Sequence, residues 1–314
     1  MAGTTVQQAY ASELNAIAAR YGKMEGDTVK RMLALLRDLR NEIAAEITSA
    51  ENFDLYRLGQ LEQNVARLVD QFESRLSGET RDAFEQAYRD GGEFVATPLA
   101  AVGIEGAFFR PNPAQLNTLL DFSARLVKNI ADETRIQIDR QIRASVLGEQ
   151  TPFEAMRNVT RALGIEARTG IWKARPDPVQ GVAARAETDL RTEMQRVFNV
   201  SAHAQQLDSA GRIPGLTKGW VAGADGRTRR GHLEAHLRYK DHPIPIGEPF
   251  RVRDIDDQGR VRGTAELMYP GDPNAPARYT ANCRCRMATH HPAIGRVGSS
   301  LDGRVAAELE RRAA

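Results

Sequence analysis

The sequence predicts a mainly α protein, an elongated helical N-terminal body followed by a small α+β C-terminal module. Three observations carry that expectation. Apolar residues recur at helical spacing through most of the first 210 residues. Pro- and Gly-rich turn signals gather between Trp220 and Cys285. Both cysteines and the histidines His232 and His236 fall in that same stretch.

Residues 1–22 read as a short helix. Gly26-Asp27-Thr28 then introduces an amphipathic one, with Asp27 as its N-cap. In it Val29, Met32, Leu36, Leu39, Ile43 and Ile47 recur at intervals of 3, 4, 3, 4 and 4, which puts them on one face. Asn52 is placed to cap the next helix, where Leu58, Leu61, Val65, Leu68, Phe72 and Leu76 repeat the pattern. Ser77-Gly78 reads as its stop, because Gly accepts the left-handed backbone that ends helices. Two such stripes joined by a few residues predict an antiparallel helical hairpin, followed by a third helix over 80–91.

Gly91, Gly92, Pro98, Gly103, Gly106, Pro111 and Pro113 mark an interruption over 92–113. A long helix is expected from Ala114 to Leu147, with Leu119, Phe122, Leu126, Ile130, Ile138 and Ile142 on its core face, and Gly148 ends it. Thr151-Pro152 opens another, since Thr caps and Pro is tolerated in the first turn. That helix closes near Leu163-Gly164, and a loop containing Trp172 leads to a last helix over 179–209. These breaks divide the chain into a helical region 1–110, a long-helix region 111–210, the α+β module 211–291 and a tail 292–314 expected to be helical. The two stripes share spacing but not sequence, so no solenoid repeat is present.

At 314 residues, 41% hydrophobic and 27% charged, the composition is that of a globular chain and excludes a disordered one. No apolar run approaches the ~20 residues of a membrane span. Met1 to Gln8 is small and polar rather than a signal peptide, so a cytosolic setting is expected. Residues 212–286 hold 14 Lys/Arg against 9 Asp/Glu, a modest basic excess that reads more readily as a solvated face than as a nucleic-acid footprint. Cys283 and Cys285 are too close for a mutual disulfide, which excludes a disulfide scaffold.

His232, His236, Cys283 and Cys285 form the candidate metal set, since thiolate and imidazole are the ligands of structural zinc. His232 and His236, four apart, would share a helix face. The competing reading, favoured by the tight Cys-x-Cys spacing, sends the two thiols to opposite faces of a strand with no cofactor bound. His290-His291 could replace His236 or belong to a solvated tail. Glu193, Asp225, Arg227, Thr228 and Arg229 form a polar constellation. It reads as a network in which Arg227 and Arg229 alternate along a strand and pair with Glu193 or Asp272. Pro270-Gly271-Asp272-Pro273 is a tight turn, and Trp220 and Phe250 are core anchors. There is no nucleophile elbow, phosphate-binding glycine loop or HExxH; the chain is expected not to be an enzyme.

Taken in order, Trp220, Asp225/Arg227/Thr228/Arg229/His232, Phe250, Pro270 to Pro273 and Asn282-Cys283-Arg284-Cys285 resemble the C-terminal domain of the Mu F-like minor head proteins of tailed bacteriophages, also called head morphogenesis proteins. The final helix, with Arg191-Thr192-Glu193 and Asn199, and the step from Leu147-Gly148 to Thr151-Pro152-x-Glu154 resemble the same family. The resemblance spans about residues 115–290. It departs after His232, where the family often has a Gly-containing turn and this chain has Ala235 to Lys240.

The resemblance implies a minor head (capsid) protein acting in virion assembly. Such a protein is associated with the portal inside the capsid, is made in the host cytoplasm, and can leave with the DNA. Its implied partners are the portal, capsid or scaffold proteins and packaged DNA, with several copies per particle and no membrane. The implied structural residues are Glu193, Trp220, Asp225, Arg227, Arg229, Phe250, Pro270, Asp272 and Asn282. A zinc-dependent hydrolase or nuclease built on the His/Cys cluster is the alternative. Mu F-like modules also precede toxin domains in some chains, but the stretch after Cys285 is expected to hold a helix instead.

Overall fold

The structure, a computed structural model, describes residues 2–49, 55–164, 181–223, 226–256, 258–295 and 302–313. Asn52, Asp225 and the loop containing Trp172 lie outside the described residues. The elements in order are α1 (Ala2–Ser49), α2 (Leu55–Ala101), α3 (Pro113–Val146), α4 (Pro152–Leu163), α5 (Val182–Ala210), β1 (Thr217–Val221), α6 (Arg230–Asp241), β2 (Ile244–Pro245), β3 (Phe250–Ile255), β4 (Val261–Leu267), α7 (Ala277–Thr280), β5 (Arg286–His290) and α8 (Asp302–Ala313). The fold is mainly α with a small α+β part at the C-terminal end, as the sequence predicts. No helix among the described residues is long and apolar enough to cross a membrane.

The chain divides into two compact units, one of Glu25–Ala83 and Thr118–Leu190, the other of Met1–Met24, Phe84–Asn117 and Arg191–Ala314. This division is discontinuous along the chain and follows contacts, not the composition breaks at 110, 210 and 291.

In the all-helical unit the two predicted stripes are buried: Val29, Met32, Leu36, Leu39, Ile43 and Ile47 on α1, and Leu61, Val65, Leu68, Phe72 and Leu76 on α2. Burying a Leu, Ile or Val side chain is worth ~1.5–3 kcal/mol, so these stripes dominate the local energetics. Arg31 meets Glu79 at 2.5 Å, Arg75 meets Asp38 at 3.5 Å, and Asn64 donates to Glu46 at 2.9 Å. Rising numbers on one helix thus meet falling numbers on the other, which is the predicted antiparallel hairpin. Arg135–Asp70 and Arg143–Glu62 pair α3 with α2 in the same antiparallel sense.

The predicted breaks inside α1 and α2 do not occur. Gly26, Gly78, Gly91, Gly92 and Pro98 all lie within continuous helices. Asp27 pairs with Lys30 one turn on instead of capping. A mid-helix Gly costs ~1 kcal/mol against Ala, less than the burial of one stripe residue, so packing overrides the local signal. Gly91 and Gly92 serve close approach. A Cβ on Gly91 would sit 2.1 Å from the Phe198 carbonyl oxygen, and one on Gly92 would lie 2.0 Å from the Phe109 ring.

The core face of α3 also differs from the expected stripe. It consists of Ser123, Val127, Ile130, Ala131, Thr134, Ile138, Ile142 and Ser145, and Phe122 is exposed. Thr134 is buried at no hydrogen-bonding cost because its hydroxyl donates to the Ile130 carbonyl at 2.7 Å. An apolar-only count therefore misplaces the face. At α4 the local signals hold: Thr151 and Glu154 form a reciprocal capping box, and Gly164 closes the helix in the left-handed conformation.

In the second unit, the α+β module holds two small antiparallel sheets, β2-β1-β5 and β3-β4. Trp220 on β1 faces Phe250 and Phe250 faces Tyr239, both edge to face, at 5.3 and 4.9 Å between ring centres. Tyr10 of α1 and Val95 and Leu99 of α2 join this core, and the Tyr10 hydroxyl donates to the Thr289 carbonyl at 2.5 Å. After Cys285 the described residues form β5 and α8. His290 ends β5 opposite Thr217 and is no part of a solvated tail, and α8 buries Val305.

Gly78 and Gly91 separate the two roles of a helical glycine. Gly78→Ala meets nothing within 4 Å and is expected to stabilise the protein by ~0.5–1 kcal/mol, whereas a true helix stop there would make it destabilising. Gly91→Ala is expected to destabilise by ~1–3 kcal/mol through overpacking. Urea unfolding of both variants checks the pair.

Candidate metal centre

Three pieces of one unit converge on His232. The first is α6, whose opening turn can approach β3 only because residue 231 is glycine; a Cβ there would lie 1.7 Å from the Arg253 carbonyl oxygen. The helix runs unbroken through Ala235 to Lys240, so the segment where the resembled family often turns is helical here. The second is β1, which places Trp220 edge to face with the His232 ring at 5.3 Å. The third is the turn before β5, where Asn282 takes a left-handed backbone, φ 51°.

Cys283 and Cys285 follow that turn two residues apart in the stretch leading into β5, and residues two apart in an extended chain share a face, so the two thiols point the same way. His232 Nδ1 lies 3.4 Å from Cys285 Sγ and 3.5 Å from Cys283 Sγ. The expectation that the thiols diverge to opposite faces is corrected by this geometry. All three ligand atoms lie within 4.8 Å of one another, and all three residues are buried. A tetrahedral zinc with ~2.3 Å bonds to sulfur and ~2.0–2.1 Å bonds to nitrogen sets its ligand atoms about 3.6 Å apart. The donor set thus fits a metal in both chemistry and spacing, and the two cysteines are free of any disulfide.

The pair is electrostatically divided. The Cys283 thiol is held well below its ordinary pKa, chiefly by the hydrogen bond from Cys285 and then by His232, against burial. Burial pushes the Cys285 thiol well up, with the neighbouring Cys283 adding to it. Metal ligation requires deprotonated sulfur and a neutral ring, so a cation bound here would displace the remaining thiol protons.

His236 is not a member of this set. Its Nδ1 accepts from the Ala222 N–H at 3.3 Å and its Nε2 faces Asp302 Oδ1 of α8 at 3.0 Å. Sharing a helix face was correctly inferred, but one turn separates the two rings and different partners claim them. Burial lowers the His236 pKa, against the pull of Asp302.

The other expected residues surround the cysteine turn in roles that differ from the predicted network. Arg229 precedes α6 rather than lying on a strand, and it donates to the Ala281 carbonyl at 2.6 Å. Arg227 lies in the turn before it. Glu193 holds Arg196 at 2.6 Å, and Arg196 in turn donates to the Gly271 carbonyl at 3.2 Å. Asp272 pins its own turn, accepting from the N–H groups of Met268 and Asn274 at 2.8 and 2.9 Å.

Sequence reading expects a polar network between the last helix and the module through Glu193, but misses the α5 side chains that hold the cysteine turn. Asn199 Nδ2 donates to the carbonyls of Pro270 and Cys285 at 2.8 and 3.0 Å, and Gln195 Nε2 reaches the Cys285 carbonyl at 3.2 Å. Thr192 accepts from the Asn282 N–H at 2.7 Å. The available signal was a line of uncharged polar residues, Thr192, Gln195 and Asn199, at helical spacing on α5.

No family model, curated protein or solved structure matches the chain.

Because Asn199 serves two buried carbonyls, Asn199→Ala is expected to cost about 1–3 kcal/mol, the penalty of leaving buried polar groups without a donor. The check is the unfolding midpoint against Asn199→Gln, which keeps a donor.

Proposed function

We propose that this chain is a phage minor head protein of the Mu F-like kind. It acts in head morphogenesis beside the portal, and its C-terminal module is stapled by one structural zinc held by His232, Cys283 and Cys285. One observation carries the reading: residues scattered from Thr192 to Cys285 that make up the resemblance converge on the cysteine turn. Trp220 packs on His232, Arg229 holds the Ala281 carbonyl, Asn199 spans the Pro270 and Cys285 carbonyls, and Asn282 supplies the bend.

Two buried thiols and a buried imidazole at metal-ligand spacing support zinc as the staple. A small module with short strands gains most from such a cross-link. Three protein ligands leave a fourth position on the metal, as a catalytic zinc also requires, and it is the burial of all three side chains that supports a structural role over hydrolysis. The trio supplies three of the four ligands that a structural zinc takes. The long charged helices supply the surfaces for portal and scaffold.

Two measurements test the two halves separately. The purified chain is expected to carry one zinc, lost in Cys283→Ser, Cys285→Ser and His232→Ala but retained in His236→Gln. A chain purified without metal, and with a melting temperature unmoved by zinc or chelator, overturns the staple. Purified virions of the encoding phage are expected to contain the chain at low copy, and particles from a deletion strain to assemble defectively. Its absence from virions, with normal heads formed without it, overturns the assembly role.

A further inference from the structure

The hairpin of β3 and β4 ends in an open edge. Its sheet has two strands, and among the described residues no strand pairs with β4 other than β3. The other edge of β3 is closed by α6, through the Gly231 approach and through Tyr239, whose hydroxyl accepts from the Arg251 N–H at 2.6 Å. Among the described residues no strand or backbone hydrogen bond closes the outer edge of β4, although the Tyr279 hydroxyl lies close to Gly263. Val261 is 51% exposed, and Arg262, Thr264 and Glu266 are exposed along one face. A seven-residue strand with an uncovered edge presents a row of backbone donors and acceptors that another strand can take up. It carries neither Pro nor Lys; its register with β3 shifts at Arg262, where Gly263 faces Asp254 and Val261 faces Ile255, so regular pairing runs from Gly263 to Leu267.

The charges on this strand select its partner. Read along the exposed face, β4 is Arg262, Thr264, Glu266. That pattern is its own complement when reversed. Antiparallel pairing about a two-fold axis at Thr264 sets Arg262 opposite Glu266 of a second copy, and Glu266 opposite Arg262. Thr264 then meets its own equivalent, a pairing found in stable sheets. The facing positions on the other side are Gly263 and Ala265, small enough to let the strands approach. Within one chain Glu266 already pairs with Arg251 at 3.2 Å, and Arg262 with Asp256 at 3.5 Å. Side chains of Arg262 and Glu266 remain 62% and 58% exposed. Across the dimer the charges alternate, Arg251, Glu266, then Arg262 and Asp256 of the second copy.

We infer that β4 is a self-association surface through which two copies of this chain form one four-stranded sheet, in the order β3-β4-β4-β3. Edge pairing alone buries less than the ~1,200–2,000 Å² of a standard stable interface, so the dimer is weak and concentration-dependent. The inference does not depend on the proposed function or on metal content.

Sedimentation velocity on the full chain, under reducing conditions and over a wide concentration range, tests it. The wild type is expected to move from monomer toward dimer as concentration rises. Arg262→Glu puts like charges opposite one another twice per dimer, as does Glu266→Arg, and each is expected to weaken association by roughly tenfold or more. An equimolar mixture of the two variants restores both opposite-charge pairs and is expected to dimerise again, as is the double variant R262E/E266R. Each swap also removes an ion pair within the chain, to Asp256 or to Arg251, so circular dichroism and melting temperature of each variant separate misfolding from lost association. A wild type that stays monomeric at the highest attainable concentration overturns the inference. So does a dimer indifferent to Arg262→Glu, or a variant mixture that fails to associate.

Discussion

The carbonyl of Cys285 is the point on which the cysteine turn hangs. Two side-chain amides of α5, Asn199 and Gln195, converge on it from one helix face, and Asn199 also holds the Pro270 carbonyl. A buried carbonyl without a donor costs ~1–3 kcal/mol. The positions of the cysteine turn and the Pro-Gly-Asp-Pro turn are therefore tied to the same side chain. Once those turns are held, the left-handed Asn282 aims both thiols at His232.

The surroundings of His232 follow from that arrangement. Gly231 lets α6 meet β3 closely enough for Trp220, Phe250 and Tyr239 to stack edge to face. Both thiols are buried beside this aromatic chain; their pKa values are driven apart by the hydrogen bond between them and by His232, which lower Cys283, while burial raises Cys285. The C-terminal helix adds an outer layer. Asp302 takes both His236 and Lys240, and Arg312 donates to the carbonyls of Thr228 and Gly226 on either side of the Arg227 turn. His236 thus ties α8 to the module, while its neighbour one turn earlier faces the thiols.

The two sheets of the module are finished differently. β1 is flanked on both sides by β2 and β5, and its Lys218 is buried with its ammonium on the Met268 carbonyl and over the Phe250 ring. Burial lowers the pKa of this lysine to about 8, with Asp272 and Glu248 opposing the shift. The β3-β4 hairpin has one covered and one open edge, and the open one carries a charge pattern that reads the same when reversed with signs exchanged. Order inside the module and openness at its rim are thus properties of separate strands.

Much of this was legible in the residues. Helical stripes at 29–47 and 58–76, the capping box at Thr151, the Gly148 and Gly164 stops and the mixed C-terminal module all follow from spacing and local chemistry. So does the candidate trio, because thiols and imidazoles in one short segment are chemically distinctive wherever the chain takes them. Other features were decided only in three dimensions. Gly26 and Gly78 carry the same local signal as Gly148, yet burial of the flanking stripes keeps the helix running through the first two. Ser123 and Thr134 read as polar but lie on the core face of α3. The exclusion of His236 and the approach of both thiols to His232 depend on contacts between residues as many as 90 apart in sequence, such as Gln195 and Cys285. Periodicity reports which face of an element is apolar; which groups meet across elements is determined by the packing that leaves the fewest buried polar groups without partners.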